Sequence, residues 1–319
     1  MSDPPRAAHA LRADASGAVG RLRRRRARRD RRRAVVLIGA GFLVGGCALA
    51  GGGRAAALHA TRPCDLPVAE DVVLTTASAA AQSGRIVELG RSVQGAPLLL
   101  AIFGDGPERV LVVAGTHGDE PTGAAVAAAL AQHMAARPEV VAGLTVGVLA
   151  AANPDGLRAG TRANARGVDV NRNFPSSDWR AARLGELSHG RMPASEPETR
   201  AVMRAVELVR PCRIVDVHAI ARGWHCNNYD GPARELAELM SRANGYPVRA
   251  SIGYPTPGAL GNWAGTDRGI PTITLEVPGD LNGAEGWLEN APALLAFIAG
   301  QRGAGGEPAV VSARHAAAK

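Results

Sequence analysis

The stretch RVLVVA, residues 109–114, runs directly into GTHGDEPTG, residues 115–123, and this junction decides the fold. Five apolar residues in succession read as a strand covered on both faces, because a half-exposed strand would alternate polar and apolar positions. A chain leaving such a strand needs one turn residue. Here three glycines frame a histidine and two acids, and Pro121 then stands where the first turn of a helix accepts it. His117 and Glu120 at a strand exit therefore demand a chemical reason.

The same alternation recurs along the chain. Strand-like runs are RIVEL (85–89), PLLLAIF (97–103), LTVGVLA (144–150), RIVDVHA (213–219) and PTITLEV (271–277), besides RVLVVA. Helical patterns fall between them, at roughly 122–136, 197–210, 233–243 and 284–299, and Ser195-Glu196-Pro197-Glu198 reads as a capping box opening the second. The expected fold is α/β, a mixed, mostly parallel twisted sheet flanked by helices.

Ligands of such sheets collect beyond the carboxyl ends of the strands. His117 follows RVLVVA there, His218 closes RIVDV and Glu276 closes PTITL. A catalytic zinc site commonly takes three His or carboxylate ligands and leaves one position open. His117 and Glu120 offer two ligands in one turn, with Gly118 permitting the bend, and His218 offers the third from a neighbouring strand. Glu276 would remain off the metal as general base, taking a proton from the attacking water and delivering it to the departing amine. A lone histidine after a strand is ordinarily a surface or core residue, and the helical HExxH signature is absent. The weight therefore rests on the combination.

Composition narrows the alternatives. The chain has 319 residues, 46% of them hydrophobic, enough for a substantial core. Its net charge of +8 is misleading, because residues 1–33 carry twelve Arg against three Asp and the remainder is close to neutral. With aromatics at 3%, stacking platforms are few, and nucleic-acid binding by the folded part is not expected. We divide the chain into a basic tail (1–33), an uncharged export or membrane segment (34–50), a Gly/Ala/Pro linker (51–66), a catalytic domain (67–300) and a second tail (301–319).

Thirteen uncharged residues precede Cys47, within the roughly 7–15 of a signal-peptide core and short of a comfortable bilayer span. Val44-Gly45-Gly46-Cys47 resembles a lipobox, and Arg32-Arg33 with the apolar residues after it resembles a twin-arginine signal. Two readings stay open, a lipoprotein anchored by lipid on Cys47 and an uncleaved N-terminal helix. Both place the bulk of the chain outside the cytoplasm, in the cell envelope, with membrane contact through the N-terminal segment alone. Cys64, Cys212 and Cys226 show no CxxC spacing, so a cysteine metal site is not expected and no disulfide pairing is specified.

A second constellation strengthens the metal reading: Asn153-Pro154-Asp155-Gly156, then GTRAN (160–164), then GVDVNRNF (167–174). This loop is dense in guanidinium and amide donors, which suit a carboxylate or an oxyanion. GTHGDE, NPDG, TRANARGVDVNRNF, VDVHA and TLEVP, in this order, resemble the zinc carboxypeptidases of the funnelin type. GRSVQGAPL (90–98), SEPETRAV (195–202) and GYPTPGALGNW (253–263) bring the resemblance nearer to the branch of bacterial murein tripeptide amidases. It covers about residues 84–280.

The resemblance implies a carboxypeptidase-like fold and one zinc ion held by His117, Glu120 and His218, with Glu276 as base. It further implies Arg162 as oxyanion stabiliser, Asn171 and Arg172 as ligands of the substrate's free carboxylate, and Tyr254 as a mobile lid. The implied substrate is a murein peptide cut between γ-D-glutamate and a diamino acid such as diaminopimelate. His225, seven residues beyond His218, is expected in a substrate loop or on the surface rather than on the metal. Two rivals stand beside this reading. One is an N-acyl amino acid deacylase using the same ligands, against which the NRNF stretch argues. The other is a metal-free peptidoglycan-binding module, against which the complete ligand set argues.

Overall fold

The computed structural model describes residues 69–300. The basic tail, the segment 34–50 with Cys47, the linker with Cys64 and the tail 301–319 lie outside the described residues. In chain order the elements are α1 (Ala69–Ser83), β1 (Gly84–Arg91), β2 (Pro97–Phe103), β3 (Glu108–Ala114), α2 (Pro121–Ala136), β4 (Leu144–Leu149) and α3 (Pro154–Ala159). They continue with α4 (Pro197–Val209), β5 (Arg213–Ile220), β6 (Cys226–Asp230), α5 (Arg234–Asn244), β7 (Val248–Arg249), β8 (Thr272–Pro278) and α6 (Gly283–Ala299).

The eight strands form one sheet in the order β1-β2-β4-β3-β5-β8-β6-β7. Its centre, β4-β3-β5-β8, is parallel, while β2 on one side and β6 on the other run antiparallel to it. The mixed, mostly parallel sheet flanked by helices is the expected architecture. Parallelism of β3, β5 and β8 carries His117, His218 and Glu276 to the same edge of the sheet.

Unbroken apolar runs are explained by a core on each face. Along β3, Val110, Val112 and Ala114 enter one cluster with residues of α1, α2, α5 and α6, whereas Leu111 and Val113 enter the other with α4, Phe174 and Trp263. All five are fully buried, each larger side chain contributing about 1.5–3 kcal/mol. Helix α2 is buried almost all round by small residues, Thr122 to Ala128, and by Leu130 and Met134. Its N-cap, Glu120, makes no side-chain cap bond, a loss of about 1 kcal/mol that burial of Leu130 alone offsets.

One expectation is corrected, and three elements come in addition. Ser195-Glu196-Pro197-Glu198 does not form a capping box: α4 starts on Pro197 without a side-chain cap bond. Both carboxylates are engaged elsewhere, since the Asn164 side-chain amide donates to Glu196 and to Glu198, each at 2.9 Å, and Glu198 also accepts the Val93 N–H. A capping box exists instead at α6, between Asn282 and Glu285. Helix α1 and strands β6 and β7 were not anticipated, and β6, CNNYD, is too polar to be read as a strand.

Among the described residues no helix is long and apolar enough to cross a membrane. Cys212 is exposed and Cys226 buried, and they are not bonded to each other.

Candidate active site

Gly118 permits the turn at 117–120 by close approach rather than by unusual torsion. A side chain there would overlap the Gly156 backbone, which ties the turn to the NPDG segment. Freed from capping, the Glu120 carboxylate accepts the Ala219 N–H at 3.0 Å and faces both histidines. Glu120 Oε1 lies 2.9 Å from His117 Nδ1, Glu120 Oε2 lies 2.9 Å from His218 Nδ1, and the two Nδ1 atoms are 3.0 Å apart.

The far nitrogen of each ring meets another carboxylate. His117 Nε2 is 3.0 Å from Asp169 Oδ1, and His218 Nε2 is 2.9 Å from Asp216 Oδ2. A carboxylate behind each imidazole holds the proton on Nε2 and turns the Nδ1 lone pair inward. Two such lone pairs and a carboxylate oxygen, with ligand atoms all within 4.8 Å of one another, are a donor set that zinc accepts. The chain therefore carries a site that fits a divalent metal.

Electrostatics agree. Burial disfavours charge on both rings, but Glu120 and Asp169 raise the His117 pKa, and Asp216 and Glu120 raise that of His218 well above the ordinary value. Glu120 is likewise pushed up by burial and pulled well below the carboxylate range by the two imidazoles. Negative charge thus favours a positive occupant, and protons compete with a metal for the same nitrogens, so metal affinity falls as pH falls. Replacing Asp216 by Asn keeps the volume and removes the charge behind His218. Metal affinity is expected to weaken about 10- to 100-fold, checked by chelator-competition titration at fixed pH.

Glu276 pairs in register with His218 across β5 and β8. It is only 6% exposed, and its Oε2 has no hydrogen-bond partner. Burial is the largest influence on it and, opposed by the histidines and aided by Glu120, raises its pKa to about 7. Leaving a buried acceptor unmatched costs about 1–3 kcal/mol, an expense expected of a group kept for proton transfer rather than for stability.

The donor loop closes over the opposite side. Arg162 donates from Nη1 to Glu120 at 2.9 Å and from Nε to Asp169 at 3.1 Å. Asp169 also accepts the Asn171 N–H, capping the turn Val170–Arg172. Asn171 accepts the Leu260 N–H through its side-chain oxygen, and Arg172 is 9% exposed. Tyr254 is half exposed. All eight residues singled out in the sequence line one cleft of about 930 Å³. His225 is not among the metal-binding group and packs against Tyr246, 4.6 Å between ring centroids.

Sequence reasoning missed Asp169 and Asp216, and it did not foresee that Asn164 binds Glu196 and Glu198. Asp216 could have been found, because two residues apart on a strand share a face. Asp169 stood in a quoted motif, but no local spacing connects it to His117, 52 residues away.

Residues 72–291 match the family model of zinc carboxypeptidases. The chain belongs to the zinc carboxypeptidase family. This zinc carboxypeptidase homologue is therefore a hydrolase by descent. It is 35% identical over 202 residues to murein peptide amidase A of Escherichia coli K12, covering 59% of this chain and 79% of that protein. The crystal structure of a murein-tripeptide amidase from Escherichia coli O157 superposes with a TM-score of 0.55 and 31% identity, over 66% of this chain and 91% of that one. Carboxypeptidase A from Helicoverpa armigera shares the fold, with a TM-score of 0.58 at 19% identity, over 74% of this chain and 72% of that one.

Proposed function

We propose that this chain is a zinc-dependent amidase of murein peptides, hydrolysing the bond between γ-D-glutamate and a diamino acid that bears a free carboxylate. The observation that carries the reading is the meeting of His117, Glu120 and His218 with Glu276 and the 162–172 donor loop in one cleft. Similarity to the murein amidases supplies the substrate class.

Zinc held by the two Nδ1 atoms and the Glu120 carboxylate would supply a Lewis acid that polarises the scissile carbonyl and acidifies water. Glu276, buried and with an unmatched oxygen, takes the proton of the attacking water and passes it to the leaving amine. Arg162 would donate from its guanidinium to the oxygen that becomes negative in the tetrahedral state. Asn171 and Arg172 hold the substrate's free carboxylate, and Tyr254 at the rim covers the bound peptide. An envelope substrate accords with export by residues 34–50, through lipid on Cys47 or an uncleaved helix.

Zinc stoichiometry measured together with cleavage of L-alanyl-γ-D-glutamyl-diaminopimelate tests the reading. One zinc per chain and release of diaminopimelate are expected. Preferred hydrolysis of N-succinyl or N-acetyl amino acids would transfer the chain to the deacylases. Muropeptide binding without metal or turnover would make it a binding module.

A further inference from the structure

Two stretches of the sequence, GRSVQGAPL (90–98) and SEPETRAV (195–202), contribute no residue to the lining of the cleft. The structure nevertheless brings both to the loop that carries Arg162.

Asn164 is where they meet. Its side-chain oxygen accepts the N–H groups of Arg166 and Val168, at 3.0 and 3.1 Å, and its own N–H donates to the Val168 carbonyl at 2.9 Å. Residues 164–168 thus close into a turn of fixed shape. Arg162 enters this turn and Asp169 leaves it, and the two are joined by the bond from Arg162 Nε to Asp169 at 3.1 Å. A turn closed on itself still needs anchoring to the body. The Asn164 amide nitrogen provides the anchor by donating to Glu196 and to Glu198, each at 2.9 Å, and with these bonds every donor and acceptor of the side chain is used.

Glu198 carries the anchor furthest. It is fully buried, and its second oxygen accepts the Val93 N–H at 2.9 Å. Val93 lies in the turn between β1 and β2, and Asp155 of α3 grips the residues on either side of it, accepting from the Ser92 hydroxyl and the Gln94 N–H, each at 2.9 Å. One carboxylate therefore joins the Arg162 loop, the start of α4 and the β1–β2 turn.

As a device for stability the arrangement is poor. Glu198 has no ion pair among the described residues, and Glu196 has one, to half-exposed Arg166 at 3.4 Å. Burial raises the Glu198 pKa against the donors that favour its charge, and a buried carboxylate without a cation is costly. What the arrangement offers is geometry. Two acceptors, each taking one proton of the same amide, fix both the place and the orientation of Asn164, two residues from Arg162.

We propose that Glu198 is a positioning residue for the reaction, which acts through Asn164 to set Arg162 against the tetrahedral state while touching neither metal nor substrate. This inference rests on the role given to Arg162 above.

Glu198→Gln keeps the volume but turns an amide N–H toward one of two donors, Val93 or Asn164, so one bond is lost. A misplaced Arg162 fails the transition state rather than the ground state. On L-alanyl-γ-D-glutamyl-diaminopimelate, kcat is expected to fall about 10- to 10²-fold with KM changed about threefold or less, and zinc content should be unchanged. In an Arg162→Ala background the same substitution should cost about twofold or less, because no guanidinium is left to misplace. An unaltered kcat in Glu198→Gln overturns the proposal, and so does a loss that recurs in full in the Arg162→Ala background, which marks general loosening. Should thermal unfolding show that Glu198→Gln does not fold, Glu196→Gln takes its place, with the same pattern expected at about 3- to 10-fold; full activity in that variant then overturns the proposal. Amide hydrogen exchange reads placement without turnover, and exchange over residues 162–169, but not in β3 or β5, should quicken in the variant. If wild type cleaves no γ-glutamyl substrate, the murein reading falls and exchange decides the anchor: local loss of protection at 162–169 supports it, and unchanged protection overturns it.

Discussion

Glu276→Gln is expected to keep its metal and lose about 10²- to 10⁴-fold in kcat, the range of a missing general base. Gln preserves the volume of a side chain that is only 6% exposed, so folding should be unaffected. The pH profile separates loss of a base from loss of shape. A base works when ionised, and burial raises the Glu276 pKa to about 7. Activity therefore falls as pH drops through this region, and a nearby dication moves that limb to lower pH by favouring the carboxylate. Wild type should show an acidic limb in kcat/KM at or below about pH 7, and the variant should not show this limb. Turnover unchanged by the substitution would remove Glu276 from the reaction.

His218→Ala is expected to abolish metal binding and hydrolysis together. It removes one of three converging ligand atoms and leaves Asp216, 1% exposed, without the imidazole it faces. An uncompensated buried charge destabilises by about 3–5 kcal/mol, so circular dichroism must accompany the assay. His218→Asn, which offers Asp216 an amide donor, separates folding from ligation. Both variants should be metal-poor, and the Asn variant should stay folded. Full zinc occupancy in either would mean that the ligand set is different.

How far the site could be read in one dimension depends on where its partners lie. His117 and Glu120 share a turn, and His218 and Glu276 each end an apolar run, so their positions at one sheet edge follow from strand patterning and α/β topology. Asp216 was equally local and was overlooked. Asn164 drew attention as a donor, but its task is structural: it clasps Glu196 and Glu198 and so ties the donor loop to the start of α4. That contact also defeated the capping box, because tertiary hydrogen bonds claimed the carboxylates that a local motif would have used.

Strand β6 shows the opposite limit. Its residues alternate as a strand requires, but the face that a sequence reader expects to be apolar borders the cleft, and Asn228 and Asp230 stand where Val or Ile would otherwise pack. The polar composition that hid the strand is what gives the cleft its acidic end.

By itself the sequence determined the buried strands, the helices between them and the chemical types waiting at the strand exits. These follow from apolar periodicity and covalent order, both of which act over a few residues. Only the tertiary structure decided which carboxylates stand behind the two imidazoles, that Glu120 abandons its helix to face them, and that Asp230 lines the same cleft as Asn171 and Arg172. Each of those outcomes joins residues distant in the chain inside a space where water is scarce, and there the choice of partner is set by which charges the folded core brings together.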